Sequence, residues 1–154
     1  MKKNLRNIMF LFILTAMVTL VACGSSEKVT LEGDVDGATQ IVTFEAKKDK
    51  IEKVEMKIAQ TYESLNMSSK EEAESTMGEL MEEAFASANE SDGVDVSVGF
   101  EDEELIVEAN IDFTKADTDA LDEIGMGLGS SLDDEDLSLE KAVSDLESQG
   151  FEKK

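Results

Sequence analysis

Apolar and polar residues alternate along four stretches of the chain, which is the pattern of strands that bury one face. The apolar positions of the four stretches are Val42, Phe44 and Ala46; Val54, Met56 and Ile58; Val94, Val96, Val98 and Phe100; and Leu105, Val107, Ala109, Ile111 and Phe113. Polar residues 47–50 and 101–103 separate the members of each pair. The alternation therefore predicts two antiparallel hairpins, each with one apolar face.

Two places depart from this regular alternation. Residues 29–31 alternate only weakly before the turn-like sequence 34–37, so they predict a short additional strand at most. Ile51 is out of phase with the apolar residues that follow it, which indicates a β-bulge or the end of a strand.

A helical period replaces the alternation between the two hairpins. Residues 69–72 have the sequence S-x-x-E, a capping box that is typical of helix starts, and they predict a helix over 70–88. The apolar positions of this helix recur at helical spacing: Ala73, Met77, Leu80, Met81, Ala84, Phe85 and Ala88. We expect Met77 and Met81 to pack in the core rather than to form a methionine-rich binding face.

A second helix is predicted near the C-terminus. Ser138 is a suitable N-cap. Gly150 stands at the position of a left-handed C′ residue, from which Phe151 would pack back on Leu146 as in a Schellman motif. We expect the last residues to fray. Residues 114–124 show a weaker helical pattern, and the glycine-rich segment 125–136 predicts a flexible loop, because it lacks the lysine of a phosphate-binding loop.

These elements together predict an α+β domain. Its antiparallel sheet is expected to consist of two hairpins, with four to five strands, and the helices are expected to pack on one face. The order of the elements is also compatible with a duplicated ββα unit, in which residues 41–88 correspond to 94–149. Both interpretations give the same layered architecture.

The first 22 residues have the features of a secretory signal. Three basic residues precede an apolar run over residues 8–22, which is shorter than the roughly 20 residues of a membrane-spanning helix. The sequence LVAC at its end, followed by Gly-Ser-Ser, resembles a bacterial lipobox. This resemblance implies cleavage between Ala22 and Cys23 and a diacylglycerol group on the thiol of Cys23.

The other roles of a lone cysteine do not fit this chain. A catalytic cysteine needs an activating base such as histidine, and the sequence has none. A disulfide needs a second cysteine, and a sulfur-based metal site needs further ligands. Cys23 is therefore predicted to be the lipid-attachment site. Residues 23–28 are predicted to form the lipidated cysteine and a short tether, and residues 29–154 are predicted to form a single domain.

The mature chain is strongly acidic. Removal of 22 of the 154 residues leaves 132, in which 11 basic residues, all lysine, stand against 36 acidic ones, a formal charge of −25. Such a charge repels nucleic acid and anionic lipid headgroups. We therefore expect no nucleic-acid partner, and we expect the covalent lipid to hold the domain at the membrane. The acidity itself is interpreted as a well-solvated surface.

The sequence contains no motif that points to catalysis or to a cofactor. General bases in the mature chain are limited to Asp, Glu, Lys and Tyr62, and acidic pairs are too frequent for one pair to stand out. Residues 133–136 and 92–95 offer oxygen ligands that suit calcium or magnesium, but neither has the spacing of an EF-hand loop. We expect these segments to be solvated acidic loops without a specific metal site.

Five of the eleven mature lysines lie on the first predicted hairpin: Lys47, Lys48, Lys50, Lys53 and Lys57. Two interpretations of this asymmetry stay open. Lysine protects exposed strand edges against pairing with other strands. Alternatively, the hairpin faces the anionic bilayer or an acidic partner.

Several segments of the mature chain, in their order and spacing, resemble the YehR-like family of small bacterial lipoproteins. They are SSKEEAE at the start of the main helix, DGV before the second hairpin, NIDFTKAD after it, and LSLEKAVSDLESQGFEKK at the end. The resemblance covers nearly all of the mature chain and implies an extracytoplasmic location and an α+β fold. Because the function of that family is unknown, the resemblance supplies no catalytic or binding residues.

We therefore interpret the chain as a non-enzymatic lipoprotein, anchored outside the cytoplasmic membrane through Cys23. Its domain is expected to be a binding or interaction module for a protein or small molecule that the sequence does not identify. The alternatives are an envelope enzyme, or an accessory subunit of one, that uses carboxylates, and a weak divalent-cation-binding protein.

Overall fold

Six strands and two helices make up the parts of the chain that the computed structural model describes, residues 26–116 and 137–154. The strands are β1 (Glu27–Val35), β2 (Ala38–Lys47), β3 (Lys50–Thr61), β4 (Val94–Phe100), β5 (Glu104–Asp112) and β6 (Glu152–Lys153). The helices are α1 (Lys70–Asn89) and α2 (Leu139–Ser148). The strands form one antiparallel sheet in the order β4-β5-β3-β2-β1-β6, so the predicted α+β class is confirmed.

The predicted number of strands was too low. The sheet has six strands, whereas the sequence predicted four to five. β1 extends over nine residues, although Gly33 at one of its buried positions interrupts the apolar alternation. β6 has only two residues, both charged, and it pairs with Leu31 and Glu32 of β1. The chain end that was expected to fray is therefore part of the sheet. The duplicated ββα unit is not confirmed, because β1 and β6 have no counterparts beside the second hairpin in the described part of the chain.

The apolar faces of the strands form the core against the two helices, which lie on the same side of the sheet as predicted. The buried cluster at α2 consists of Leu31, Val42, Phe44, Ala46, Ile51, Val54, Leu139, Val143 and Phe151. The buried residues at the C-terminal half of α1 are Ala88, Val94, Val96 and Ile111, and those at its start are Tyr62, Ala73 and Leu105. Each helix thus covers a different part of one sheet face.

The phase change at Ile51 corresponds to an irregularity in the β2–β3 ladder, as predicted. Glu45 pairs with Lys53 and Ala46 pairs with Ile51, so Glu52 is the extra residue of a bulge. The carbonyl of Glu52 accepts a hydrogen bond from the backbone N–H of Phe113, at 2.9 Å. The bulge lets Ile51 join the buried cluster at α2 despite its position in the sequence pattern.

Helix α1 begins where the capping box predicts. The hydroxyl of Ser69 accepts a hydrogen bond from the backbone N–H of Glu72, at 3.3 Å, whereas the Glu72 carboxylate accepts from the backbone N–H of Ser68 rather than that of Ser69. The predicted apolar stripe is only partly buried. Leu80 is 66% exposed and Ala84 is also exposed, because α1 packs mainly on the edge strand β4 and only one side of its stripe meets the sheet.

The end of α1 also closes part of the exposed edge of β4. The side-chain amide of Asn89 donates to the carbonyl of Val96, at 2.8 Å, and accepts from the backbone N–H of Val96, at 2.6 Å. This pair of bonds reproduces what a neighbouring strand would offer. Asn89 therefore blocks the addition of another strand at Val96. Exposed sheet edges need such protection, because their unpaired backbone groups can pair with another chain.

The C-terminal end of α2 has the predicted Schellman geometry and fixes the chain end on β1. Gly150 has a φ of +96°, and the backbone N–H of Phe151 donates to the carbonyl of Leu146, at 3.0 Å. The ring of Phe151 then lies directly on Gly33, where an added Cβ atom would be 2.7 Å from Cγ of the ring. Phe151 thereby joins α2, β1 and β6 in one contact.

We expect Phe151→Ala to lower the free energy of unfolding by about 3–5 kcal/mol, because it removes a buried aromatic ring and leaves a cavity on Gly33. Leu80→Ala is the matched control, and we expect it to change stability by no more than about 0.5 kcal/mol because its side chain is exposed. Urea unfolding of residues 24–154 measures both. Similar losses for the two variants would contradict the placement of Phe151 in the core.

Candidate functional site

The face of the sheet opposite the two helices is exposed along its central strands. Strand alternation places Lys53, Glu55 and Lys57 of β3 on this face, and their side chains are 53%, 56% and 44% exposed. The apolar side chains Val54 and Met56 between them point to the helices instead. We call this surface the open face, and it is the main candidate site in the described part of the chain.

Cross-strand pairing arranges the open face in three rows. The rows are Lys28, Glu45, Lys53 and Asp112; Thr30, Thr43, Glu55, Asn110 and Asp95; and Glu32, Ile41, Lys57, Glu108 and Ser97. Opposite charges meet between strands. Lys57 Nζ lies 3.3 Å from Glu108 Oε1, and Lys53 Nζ lies 3.9 Å from Asp112 Oδ2. Such exposed pairs add little stability, but they keep the face hydrated.

A shallow groove crosses the open face between these ion pairs. It consists of two adjoining depressions of about 290 Å³ and 340 Å³ that share Glu55 and Asn110. Thr43, Ile41 and the Lys57–Glu108 pair line the first depression. The first depression is lined mainly by polar groups, and both depressions are open to solvent, so their shape suits an extended polar ligand better than a compact apolar one.

Carboxylates at the open face and at the helix starts have a lowered pKa, among them Asp112, Glu72 and Asp49. The hydroxyl and backbone N–H of Thr114 donate to Asp112 and, with Lys115, lower the pKa of Asp112. Hydrogen bonds likewise lower the pKa of Glu72 and of Asp49. A lowered pKa keeps a carboxylate ionised at neutral pH, which suits ion pairing and capping rather than proton donation.

Tyr62, which the sequence left as a candidate base, has a structural role in packing and hydrogen bonding. Its ring is buried, and its hydroxyl donates to the carbonyl of Glu101 at 2.6 Å. Burial and the surrounding carboxylates raise the pKa of Tyr62, so the phenol stays protonated at neutral pH. This hydrogen bond holds the end of β3 to the β4–β5 turn.

The lysines of the first hairpin fall into two groups. Lys53 and Lys57 stand in the middle of the open face and form the ion pairs above. Lys48 is in the β2–β3 turn, between Lys47 at the end of β2 and Lys50 at the start of β3. The edge-protection interpretation is wrong, because β2 and β3 each have a strand on both sides.

The β2–β3 turn is joined to the start of α2 through Asp49. The Asp49 carboxylate accepts from the hydroxyl of Ser138, at 2.8 Å, and from the backbone N–H of Glu140, at 2.9 Å. The backbone carbonyl of Asp49 accepts from the N–H of Leu139, at 2.8 Å. These contacts satisfy N–H groups that a helix start leaves without intrahelical partners. Backbone N–H groups and the Ser138 hydroxyl, the Glu140 N–H foremost, lower the pKa of Asp49.

The remaining sequence-predicted sites are not brought together by the described structure. Ala22, Cys23 and the acidic run 133–136 lie outside the described residues, as does most of 114–136. Asp92 belongs to the turn before β4 and Asp95 to the open face. Within residues 26–116 and 137–154, no three acidic or sulfur side chains are grouped as metal ligands would be. None of the helices described there combines the length and apolar character needed to cross a bilayer.

Sequence reasoning missed the groove of the open face. Glu55, Asn110 and Glu108 occupy polar positions of alternating strands, and such positions are ordinarily solvated. Their significance depends on the β3–β5 register, which sets Glu55 beside Asn110 and Lys57 beside Glu108. The one available signal was the alternation of charge along β3, where lysine and glutamate share a face.

Comparison with known sequences gives a consistent match over most of the chain. Residues 27–152 match the profile of a family described as "Protein of unknown function (DUF1307)". Two proteins described as uncharacterized lipoproteins, Lmo0207 of Listeria monocytogenes and Lin0239 of Listeria innocua, are each 29% identical to this chain over 143 residues. The matches cover 92% of this chain and 90% of each relative.

Solved structures show the same fold. The NMR structure of the Escherichia coli YehR protein matches with a TM-score of 0.65 at 22% identity, over 84% of this chain and 91% of that one. The NMR structure of a Streptococcus pneumoniae protein matches with a TM-score of 0.61 at 16% identity, over 92% of this chain and 94% of that one. The predicted similarity to YehR is therefore confirmed at the level of the fold.

The link between Asp49 and α2 predicts a pH-dependent loss of stability. Because the folded-state pKa is lowered, the unfolded state binds more protons near pH 4, and the contribution of Asp49 is lost as the pH falls through the folded-state pKa. We expect Asp49→Asn to destabilise the domain at pH 7 and its difference from the wild type to shrink below about pH 4. Urea midpoints across this range measure the difference.

Asp102→Asn is the control for the loss of a negative charge, since Asp102 is exposed in the β4–β5 turn. We expect this control to be neutral or slightly stabilising at pH 7, because it reduces the repulsion among acidic groups. A destabilisation by Asp49→Asn that stays constant from pH 7 to pH 3 would contradict an ionised cap.

Proposed function

The chain belongs to the DUF1307 family, and from this membership we propose that it is a lipoprotein anchored outside the cytoplasmic membrane through Cys23, whose domain is a non-enzymatic binding module. The relatives are lipoproteins by description, and the LVAC sequence provides an attachment site. Residues 1–22 are the signal that is removed.

The beginning of the folded domain carries the anchoring proposal. β1 begins at Glu27, and the hydroxyl of Ser26 already donates to the Glu45 carboxylate at 3.2 Å. The three residues from Cys23 to Ser26 reach at most about 11 Å when extended. A lipid on Cys23 therefore keeps the domain beside the bilayer, although the chain has a net charge that repels it.

We expect Cys23→Ala to abolish acylation and to leave the uncut precursor, because the thiol is the acceptor of the lipid. Ser25→Ala, two residues away, is the control and should be processed normally. Mass spectrometry of the N-terminal peptide and partition into detergent measure the two steps. An acylated and cut Cys23→Ala protein would disprove the proposal.

The open face carries the proposal of a binding role. It combines a groove lined by Glu55 and Asn110 with alternating ion pairs, and it stands on the three central strands β2, β3 and β5. A face built on rigid central strands changes little when a ligand binds. Its donors and acceptors suit a polar peptide or another extended polar chain, and the ligand would lie across the strands in the groove.

We expect Asn110→Tyr to abolish partner capture, because the ring would fill the groove. Thr76→Tyr places the same side chain on the exposed side of α1 and should leave capture unchanged. The measurement is recovery of partners by the lipidated protein from its native membranes, read by mass spectrometry. Partners that are retained equally by both variants would show that the groove is not the binding surface.

A further inference from the structure

Strand β4 forms one edge of the sheet, and the hydrogen bonds at its two ends show which of its residues face outward. At one end, the backbone N–H of Asp112 donates to the carbonyl of Gly93, at 2.7 Å. At the other end, the backbone N–H of Glu101 donates to the carbonyl of Glu104, at 2.9 Å. Alternate residues of an antiparallel strand bond to the same neighbour. The residues whose backbone groups therefore point away from β5 are Val94, Val96, Val98 and Phe100.

The second half of this outer edge is unprotected. Asn89 holds both outward groups of Val96, as described above. The outward N–H and C=O groups of Val98 and Phe100 have no hydrogen-bond partner within the described part of the chain. We call these two residues the open stretch of β4. Unpaired groups at a sheet edge are a template on which another extended chain adds as a strand.

A glycine lies on each side of the open stretch. Gly78 is in the middle of α1, where an added Cβ atom would be 3.9 Å from Cε2 of Phe100 and from Cγ of Glu74. Gly99 is in β4, where an added Cβ atom would be 4.0 Å from the carbonyl oxygen of Ile106. Both positions would accept a side chain, although glycine weakens the interior of a helix or a strand. The described neighbours therefore do not require these glycines, which leave room for a chain that approaches the edge.

The charge around the open stretch favours one kind of chain. Segments 70–82 and 97–104, which flank it, contain nine acidic residues and one lysine, Lys70. On the open face, Lys57 lies two strands away and is paired with Glu108. A second copy of this protein would bring the same acidic groups against these, so charge disfavours pairing between two β4 strands. An extended segment that carries lysine or arginine has the complementary charge.

We propose that β4 accepts an added strand at Val98 and Phe100, and that this strand is an extended basic segment of a partner protein. Backbone pairing supplies the main contact, and Gly78 and Gly99 let the added strand come close. Pairing over two residues is weak by itself, so this contact strengthens binding that is made elsewhere, for example at the groove, rather than capturing a partner alone. The inference goes beyond the proposed function and does not depend on anchoring at Cys23.

Amide hydrogen exchange in the intact protein, resolved by residue, tests the pairing. The probe is a short acetylated and amidated peptide in which lysine and valine alternate, added at about millimolar concentration because the contact is weak. We expect the N–H groups of Val98 and Phe100 to exchange freely without the peptide and roughly threefold more slowly with it. The N–H of Val96, which Asn89 already holds, should change little.

Two control peptides separate backbone pairing from attraction between charges. One has the same sequence with N-methyl groups along its backbone, so it keeps the charge and loses the N–H donors, and the other alternates glutamate and valine. We expect neither to slow exchange at Val98 and Phe100. No slowing by the lysine–valine peptide, or equal slowing by either control, would overturn the proposal. Slow exchange without any peptide, together with a dimer in analytical ultracentrifugation, would show that a second copy pairs there instead and would also overturn it.

Three tyrosine variants locate the contact on the molecule. Gly78→Tyr fills the space beside Phe100 and should abolish the slowing, whereas Thr76→Tyr, on the exposed side of α1, should keep it. Asn110→Tyr should also keep it, because the groove is not part of the edge. Slowing that persists in Gly78→Tyr would contradict the proposal, and if that variant does not fold, the N-methylated peptide on the wild type still decides. A protein that captures partners through the groove but shows no slowing at the edge contradicts this inference alone.

Discussion

The register between β1 and β2 is the constraint on which the rest of the molecule depends. Leu31 pairs with Val42, and both are buried against α2. A slip by one residue would turn every side chain of β1 to the opposite face, so the core specifies this register strongly. The same register sets Glu27 opposite Ala46. Core packing therefore decides at which end the chain enters the domain, and which turn stands next to the tether.

Local patterns predicted the elements that depend on local physics. The alternation around Val42 and Val54 identified the central strands, the S-x-x-E box located the start of α1, and Gly150 with Phe151 identified the Schellman end of α2. In each case, the deciding sequence pattern lies within a short stretch of the chain. The layered α+β architecture then followed, because amphipathic strands and helices have few other ways to bury their apolar faces.

The features that were missed depend on contacts between distant segments. Asp49 caps a helix that begins about ninety positions later, at Leu139, and a single turn residue gives no sign of that partner. Gly33 weakens the pattern of β1, and only the ring of Phe151 above it explains the glycine. Leu80 has the spacing of a core residue, yet the position of α1 at the sheet edge leaves it exposed. The groove at Asn110 likewise exists only through the β3–β5 register.

Net charge describes this protein poorly because it averages over charges that the fold uses in different ways. The formal charge of the whole chain is −22, but an exposed charge acts only over about a Debye length. On the open face, Lys57 stands opposite Glu108. The fold also uses the negative charge of Asp49 internally, at the start of α2. The β3–β5 register sets both this ion pair and the groove at Glu55 and Asn110, so the local charge of the open face follows from the same strand pairing that builds the core.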